Sequence, residues 1–332
     1  MKKILLAAVA ALAIVGCTQN EEIENVGNKA EINFNGIVGK GTRAVEMNLD
    51  GLKAADKGFY VYAYNTGSDD AGTGVLDNPI MEGNKVTWDA TVWKGSKTYY
   101  WPLTGKVQFF AYASSQSSTK LTTSTTDKYP AIVNYTVPAL ATDQEDLLVA
   151  QVTDKTKADG STIIFTFSHA LTQVNFSVKA KNDDGFNYVV SDISLSGIGN
   201  VATYTYGQSG AWGVPTATTG TYAYPINGEN NTVTGTTAKP LDSSALMLLP
   251  QTLGDAAKII IKYKVVDSKG NEYYATPEGG TEILIKDGIW GANKKMRYTL
   301  SLTNDATPIA WDVKGVDGWT TPETNEETNI DK

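Results

Sequence analysis

From residue 30 toward the C-terminal region, apolar side chains return at every second position, the period of a strand with one buried face. Ile32, Phe34, Gly36 and Val38 alternate with polar residues such as Asn33 and Asn35. Phe59, Val61 and Ala63 alternate with Tyr60, Tyr62 and Tyr64, and Val107, Phe109 and Ala111 with Gln108, Phe110 and Tyr112. Val174, Phe176 and Val178 continue the pattern, followed by Tyr298, Leu300 and Leu302 and finally Ile309, Trp311 and Val313. Residues 147–152 form a short apolar run, and Ile163, Phe165 and Phe167 share one face. Residues 259–266, the turn 267–271 and residues 272–275 read as a hairpin. Helical periodicity is missing beyond the leader, apart from a short turn expected near residues 52–57. Short strands at this spacing, punctuated by Gly, Asn and Pro, predict an all-β chain of antiparallel β-sandwiches.

The scarcest residues narrow the chemistry. His169 is the only histidine and Cys17 the only cysteine, so no His/Cys metal site and no disulfide framework is expected within one chain. Acidic residues outnumber basic ones 36 to 28, for a formal charge of −8, which disfavours a nucleic-acid surface. Ser168 and His169 are adjacent in a strand and point to opposite faces, so they do not form a nucleophile and base. Gly207-Gln208-Ser209-Gly210 is one residue short of a nucleophile elbow. His169 therefore reads as a structural residue. Asp69-Asp70 and Asn182-Asp183-Asp184-Gly185 lack the regular ligand spacing of a calcium loop and read as hairpin turns. Paired carboxylates for glycoside hydrolysis could come together from any two strands, and nothing singles out a pair. The chain is read as a non-enzyme with no cofactor and no metal.

The leader sets the compartment. Lys2 and Lys3 precede the apolar run 4–15, which is too short to span a membrane and ends in Ile14-Val15-Gly16-Cys17. This is the form of a lipoprotein cleavage box, in which Cys17 is acylated (palmitate among the chains) and becomes the first residue. Several acyl chains on one cysteine make a stable outer-membrane anchor. Thr18-Gln19-Asn20-Glu21-Glu22 resembles the acidic export signal of Bacteroidales surface lipoproteins. A solvated acidic tether is the other reading of those residues. The expected organisation is a signal peptide over 1–16, a tether and strand over 17–43, one sandwich over 44–168 and a second over 169–332 with an acidic tail. Residues 114–126 and 215–240, rich in Ser, Thr, Gly and Asn, are expected to be exposed connections.

Several segments together resemble the fimbrillin family of the Bacteroidales, the subunits of type V pili. They are the lipoprotein leader, Thr42-Arg43-Ala44 after a strand, and Tyr99-Tyr100-Trp101-Pro102 ahead of the strand 107–112. Phe167-Ser168-His169-Ala170-Leu171 entering a strand, Tyr298-Thr299-Leu300 and the closing Trp319 complete the set. The resemblance implies two tandem transthyretin-like β-sandwiches and a surface precursor whose first strand fills a groove. In that family a trypsin-like maturation protease cuts after a basic residue, and a neighbouring subunit's strand replaces the lost one by donor-strand exchange. Donor and acceptor sites differ, so the contact is head-to-tail and propagates as a fibre. Carried onto this chain, the plug strand is 30–38 with Ile32, Phe34 and Val38 as plugs. Cleavage falls between Arg43 and Ala44, with Lys40 the alternative for a Lys-specific protease. Burying each plug contributes roughly 1.5–3 kcal/mol, so its loss leaves an unstable groove. Adhesion, and a final location on the cell surface in a fimbrium, follow from the same resemblance.

Ile309, Trp311 and Val313 are the candidate donor strand; the same residues also read as an ordinary last strand of the second sandwich. Stalk, anchor and tip subunits all remain open. Seven Trp and 17 Tyr support one rival, an outer-surface glycan-binding lipoprotein serving nutrient uptake. The alternation around Trp88, Trp93 and Trp101 favours packing over an exposed aromatic row.

Overall fold

The structure, a computed structural model, describes residues 30–38, 47–114, 116, 119–216, 220–226, 228, 231–241, 245–317 and 328–329. The leader, Cys17, Lys40, Arg43, Ala44 and Trp319 lie outside these residues.

In chain order the first strands are β1 (Asn33–Val38), β2 (Phe59–Asn65), β3 (Pro79–Trp88), β4 (Trp93–Gly95) and β5 (Val107–Ala113). Then come β6 (Leu121–Thr122), β7 (Ala131–Thr136), β8 (Leu148–Lys155) and β9 (Thr162–His169). The second half begins with β10 (Thr172–Ala180), β11 (Asn187–Ile198), β12 (Val201–Thr205) and β13 (Ala211–Trp212). Short strands follow: β14 (Gly220–Ala223), β15 (Thr232–Thr234), β16 (Lys239–Pro240), β17 (Leu246–Leu248) and β18 (Gln251–Thr252). The chain closes with β19 (Lys258–Val266), β20 (Glu272–Ala275), β21 (Thr281–Leu284), β22 (Ile289–Trp290), β23 (Lys294–Leu302), β24 (Ala310–Asp317) and β25 (Thr328–Asn329). The all-β expectation holds. One short helix, α1 (Leu49–Lys53), starts ahead of the expected turn because Asn48 caps it, accepting from Gly51 N at 2.8 Å.

Seven strands form the first sheet, in the order β1-β9-β8-β5-β2-β3-β4. Its centre is β5, buried at every position. Val107, Phe109 and Ala111 enter one core, while Phe110 and Tyr112 enter the other. A strand covered on both faces needs apolar groups on both, which is why its sequence reads as nearly continuous. Nearer the edge, β9, between β1 and β8, shows strict alternation, with Ile163, Phe165, Phe167 and His169 inward.

The second half is a sandwich of two sheets, β16-β10-β23-β24-β25 and β14-β11-β19-β20. Val174, Phe176, Tyr298 and Leu300 from one sheet share a core with Tyr188, Ile193, Ile259 and Ile261 from the other. The hairpin β19–β20 is antiparallel, as its turn signals.

Four expectations need correction. The sheets are not purely antiparallel: β1 runs parallel to β9, and β10 runs parallel to β23 over its whole length. Asn182-Asp183-Asp184-Gly185 does not close a hairpin; it carries the chain from β10 to β11, in a different sheet. There Asp184 accepts from the Tyr188 hydroxyl at 2.6 Å and from Phe186 N at 3.1 Å. Residues 215–240 are not merely an exposed connection, because they supply three edge strands and bury Tyr222, Tyr224 and Val233. Within 114–126, Thr119 and Leu121 are likewise buried. Separately, a four-stranded sheet, β13-β12-β7-β6, joins strands from either side of position 168.

Candidate strand-exchange site

The alternation of β1 translates directly into burial. Ile32, Phe34, Gly36 and Val38 face inward, and Asn33, Asn35 and Ile37 face out. Every inward side chain of β1 belongs to one core cluster, walled by β2, β5 and β9. Phe34 stacks on Phe165 with ring centroids 6.2 Å apart and planes 16° from parallel. Phe59 lies at the centre, with its ring 5.1 Å from Trp93, 5.7 Å from Phe165 and 5.2 Å from Phe167. Leu52 of α1 is fully buried against the same cluster.

The backbone of β1 is held on both sides at its start. Asn33 N donates to Ser161 O at 2.7 Å and opens the parallel ladder with β9, which runs from Asn33↔Thr162 to Val38↔Phe167. On the opposite side Ile32 N donates to Tyr99 O and Trp101 N to Ala30 O, both at 2.9 Å, around an antiparallel bridge between Glu31 and Tyr100. The segment that follows β4, at the other end of the sheet order, therefore reaches round to β1. The seven-stranded sheet curls, and β1 occupies the seam. One indole is left unsatisfied there, since Trp101 Nε1 is buried with no hydrogen-bond partner.

The first described residue after 39–46 is also anchored. Met47 N donates to Asp146 Oδ2 at 3.2 Å. The same oxygen lies 2.5 Å from His169 Nδ1, with both side chains buried. His169 thus lies buried at the seam's far end, paired with Asp146. Nothing in the sequence marked Asp146 as its partner, because the two meet only through the fold. Asp146 Oδ1 is buried with no hydrogen-bond partner.

At the other terminus β24 lies along β23 from Ser301↔Ala310 to Lys294↔Asp317. Ile309 and Val313 are buried in the second sandwich, and Trp311 packs 5.7 Å from Tyr298. On its other edge β24 pairs with β25 through Lys314↔Asn329 and Gly315↔Thr328. Arg297, the second arginine, sits in β23 between β10 and β24 and donates from Nη1 to Ser177 Oγ at 3.2 Å. Burial pulls its guanidinium pKa below the usual value.

Trp93 and Trp101 are buried and Trp88 is packed against the same core, 5.4 Å from Trp93, so these three form no exposed row. No helix among the described residues is long and apolar enough to cross a membrane. No group of three or more metal-ligating side chains is found among them.

A curled β-sheet whose core is completed by a separate edge strand, followed by a β-sandwich, defines the class. Residues 42–315 match the model of the fimbrillin-like family, and the chain belongs to that family of fimbrial proteins. Over 201 residues it is 30% identical to the fimbrium subunit Fim1C of Phocaeicola vulgatus, spanning 54% of this chain and 52% of that relative. The match thus covers about half of the relative's length. Among solved structures, a fimbrial protein from Bacteroides vulgatus shares the fold with a TM-score of 0.70 at 21% identity, over 88% of this chain and 100% of that one. A proposed cell adhesion protein from Bacteroides ovatus aligns over 88% of this chain and 99% of its own, with a TM-score of 0.53 and 14% identity.

Proposed function

We propose that this chain is a structural subunit of a fimbrium, made as a lipoprotein anchored through Cys17 and matured by loss of its first strand. The observation that carries this reading is the position of β1. Its inward side chains complete the first core, yet it is an edge strand joined to the rest through 39–46, the segment that holds Arg43. A trypsin-like protease cutting between Arg43 and Ala44 severs that connection, and Arg297 is shielded inside its sheet. Departure of β1 exposes the apolar Phe59–Phe165–Phe167 cluster to water, which is unfavourable, and leaves the edge of β9 open to pair with another strand.

A strand from a second copy restores both the ladder and the side-chain contacts. Because groove and donor are different surfaces, the polymer grows head-to-tail and stays open. Its work is assembly and adhesion outside the outer membrane, with no catalysis and no cofactor. The buried indole at Trp101 adds to the cost of the closed precursor, about 1–3 kcal/mol for an unsatisfied buried donor.

The test is treatment of the purified Cys17→Ser precursor with an Arg-specific protease, reading the new N-terminus and the oligomer size. The expected result is an N-terminus at Ala44 and ladders that resist SDS. A folded protein that resists cleavage at Arg43, or that is cut there and stays monomeric alone and with other fimbrial subunits, refutes it.

A further inference from the structure

The first sheet carries a second feature, on the face opposite the side chains of β1. Tyr60, Tyr62 and Tyr112 line a cleft of about 460 Å³ there. Small-molecule clefts run to roughly 300–1,000 Å³. The rings stand in a row across neighbouring strands, since Tyr60 of β2 pairs with Tyr112 of β5 on one side and with Lys85 of β3 on the other. Tyr60 and Tyr112 stack with centroids 5.2 Å apart and planes 19° from parallel, and the Tyr62 ring lies 6.4 Å from Tyr112. Tyr60 and Tyr62 are half-buried, so the row is a partly exposed aromatic platform.

The walls of the cleft are fixed by hydrogen bonding and by backbone shape. The Tyr112 hydroxyl donates to Thr119 O at 2.6 Å and ties the chain beyond β5 to the edge of the platform. Across from it β3 bulges: the β2–β3 register shifts between Val61 and Ala63, and Gly83 takes a φ of +69°. A Cβ on Gly83 would lie 3.2 Å from the Tyr62 hydroxyl oxygen, so a side chain there would crowd the platform.

The polar groups around the rings decide what the cleft suits. Asp56, Lys57 and Lys85 line it as well. Lys85 Nζ donates to Asp56 O at 2.9 Å, and Lys57 Nζ lies 3.5 Å from Glu145 Oε1. These two ammonium and two carboxylate groups sum to zero, which suits an uncharged ligand. They present donors and acceptors together, and a sugar hydroxyl is both. Strand addition is not available in this cleft, because β2 is already paired with β3 and β5. A pyranose ring has one face of C–H groups to lay on a tyrosine ring and a rim of hydroxyls for the charged groups. We propose that this cleft binds an uncharged saccharide, with a sugar ring on Tyr60 and its hydroxyls held by Asp56 and Lys85. β1 supplies no lining residue, so the site is present before and after maturation. In a polymer it recurs on every copy, which multiplies a weak affinity.

The Cys17→Ser protein is applied to an array of neutral, sialylated and sulfated glycans. Saturation-transfer NMR with the free form of the best-bound neutral saccharide then reads the contact and the affinity. Binding to neutral glycans is expected, with saturation passing to the C–H protons of one ring face. Tyr60→Phe keeps the affinity within about twofold, whereas Tyr60→Ala weakens it roughly tenfold. Lys85→Ala weakens it too, and decides the matter where Tyr60→Ala fails to fold. An array on which no neutral glycan is bound, capture of charged glycans alone, or neutral binding that survives both alanine variants overturns the proposal. Neutral binding lost in those variants by a precursor that never polymerises supports the cleft and separates it from strand exchange.

Discussion

Truncation of Phe34 to alanine separates the precursor from the polymer. Phe34 is buried, stacks on Phe165 and sits in a strand that maturation removes. Phe→Ala in a core costs about 3–5 kcal/mol, the sum of lost transfer energy and the cavity left behind. Phe34 lies at the seam, where neighbours can relax into the gap, so the lower end, about 3 kcal/mol, is expected. At 1.4 kcal/mol per tenfold, that raises the population with β1 detached by roughly 100-fold. Hydrogen exchange of the β9 amides in the precursor reads this directly, as faster exchange confined to the β1–β9 ladder. The assembled polymer no longer contains Phe34, so its resistance to SDS and heat is expected to match wild type. Phe165→Ala, which alters the groove wall, weakens both forms. A Phe34→Ala precursor with unchanged β9 protection, or a polymer weakened as much as the precursor, refutes the assignment of β1 as a removable plug.

Two further outcomes follow from the buried polar groups. His169→Ala leaves the buried Asp146 carboxyl, already lacking a partner on Oδ1, with the long bond from Met47 N on Oδ2, and is expected to cost about 3 kcal/mol in urea unfolding. The double variant with Asp146→Leu recovers much of that loss, whereas simple addition of two single costs contradicts a coupled pair. Burial pushes the phenols of Tyr204, Tyr222 and Tyr298 up to about 12, and that of Tyr206 well above its usual value. These raised folded values mean that their contribution is intact below pH 10 and is lost as the pH climbs from 10 through 12. Absorbance at 295 nm is expected to show a late tyrosinate step coincident with loss of structure by circular dichroism. A single step near pH 10 with the fold retained refutes the burial.

Alternation made β1, β9 and β24 visible as strands and named their inward residues, because a side chain's direction along a strand is a local property of period two. It also placed Trp93 and Trp101 inside. The leader with its lipoprotein box, and the segment holding Arg43, are likewise statements of sequence, and they lie outside the described residues. Pairing is a different matter. Every residue but proline offers the same N–H and C=O, so nothing in the letters of β1 says that it runs parallel to β9 or reaches Tyr99 and Trp101 on its other side. The same is true of Asp184, which turns the chain into another sheet, and of Asp146, which finds His169 from a different strand connection. The tertiary structure alone decided that β1 fills the seam of a curled sheet and that Phe59 rises under Gly36. It did so because closure and steric floor come from residues distant in the chain, brought together only when the core packs.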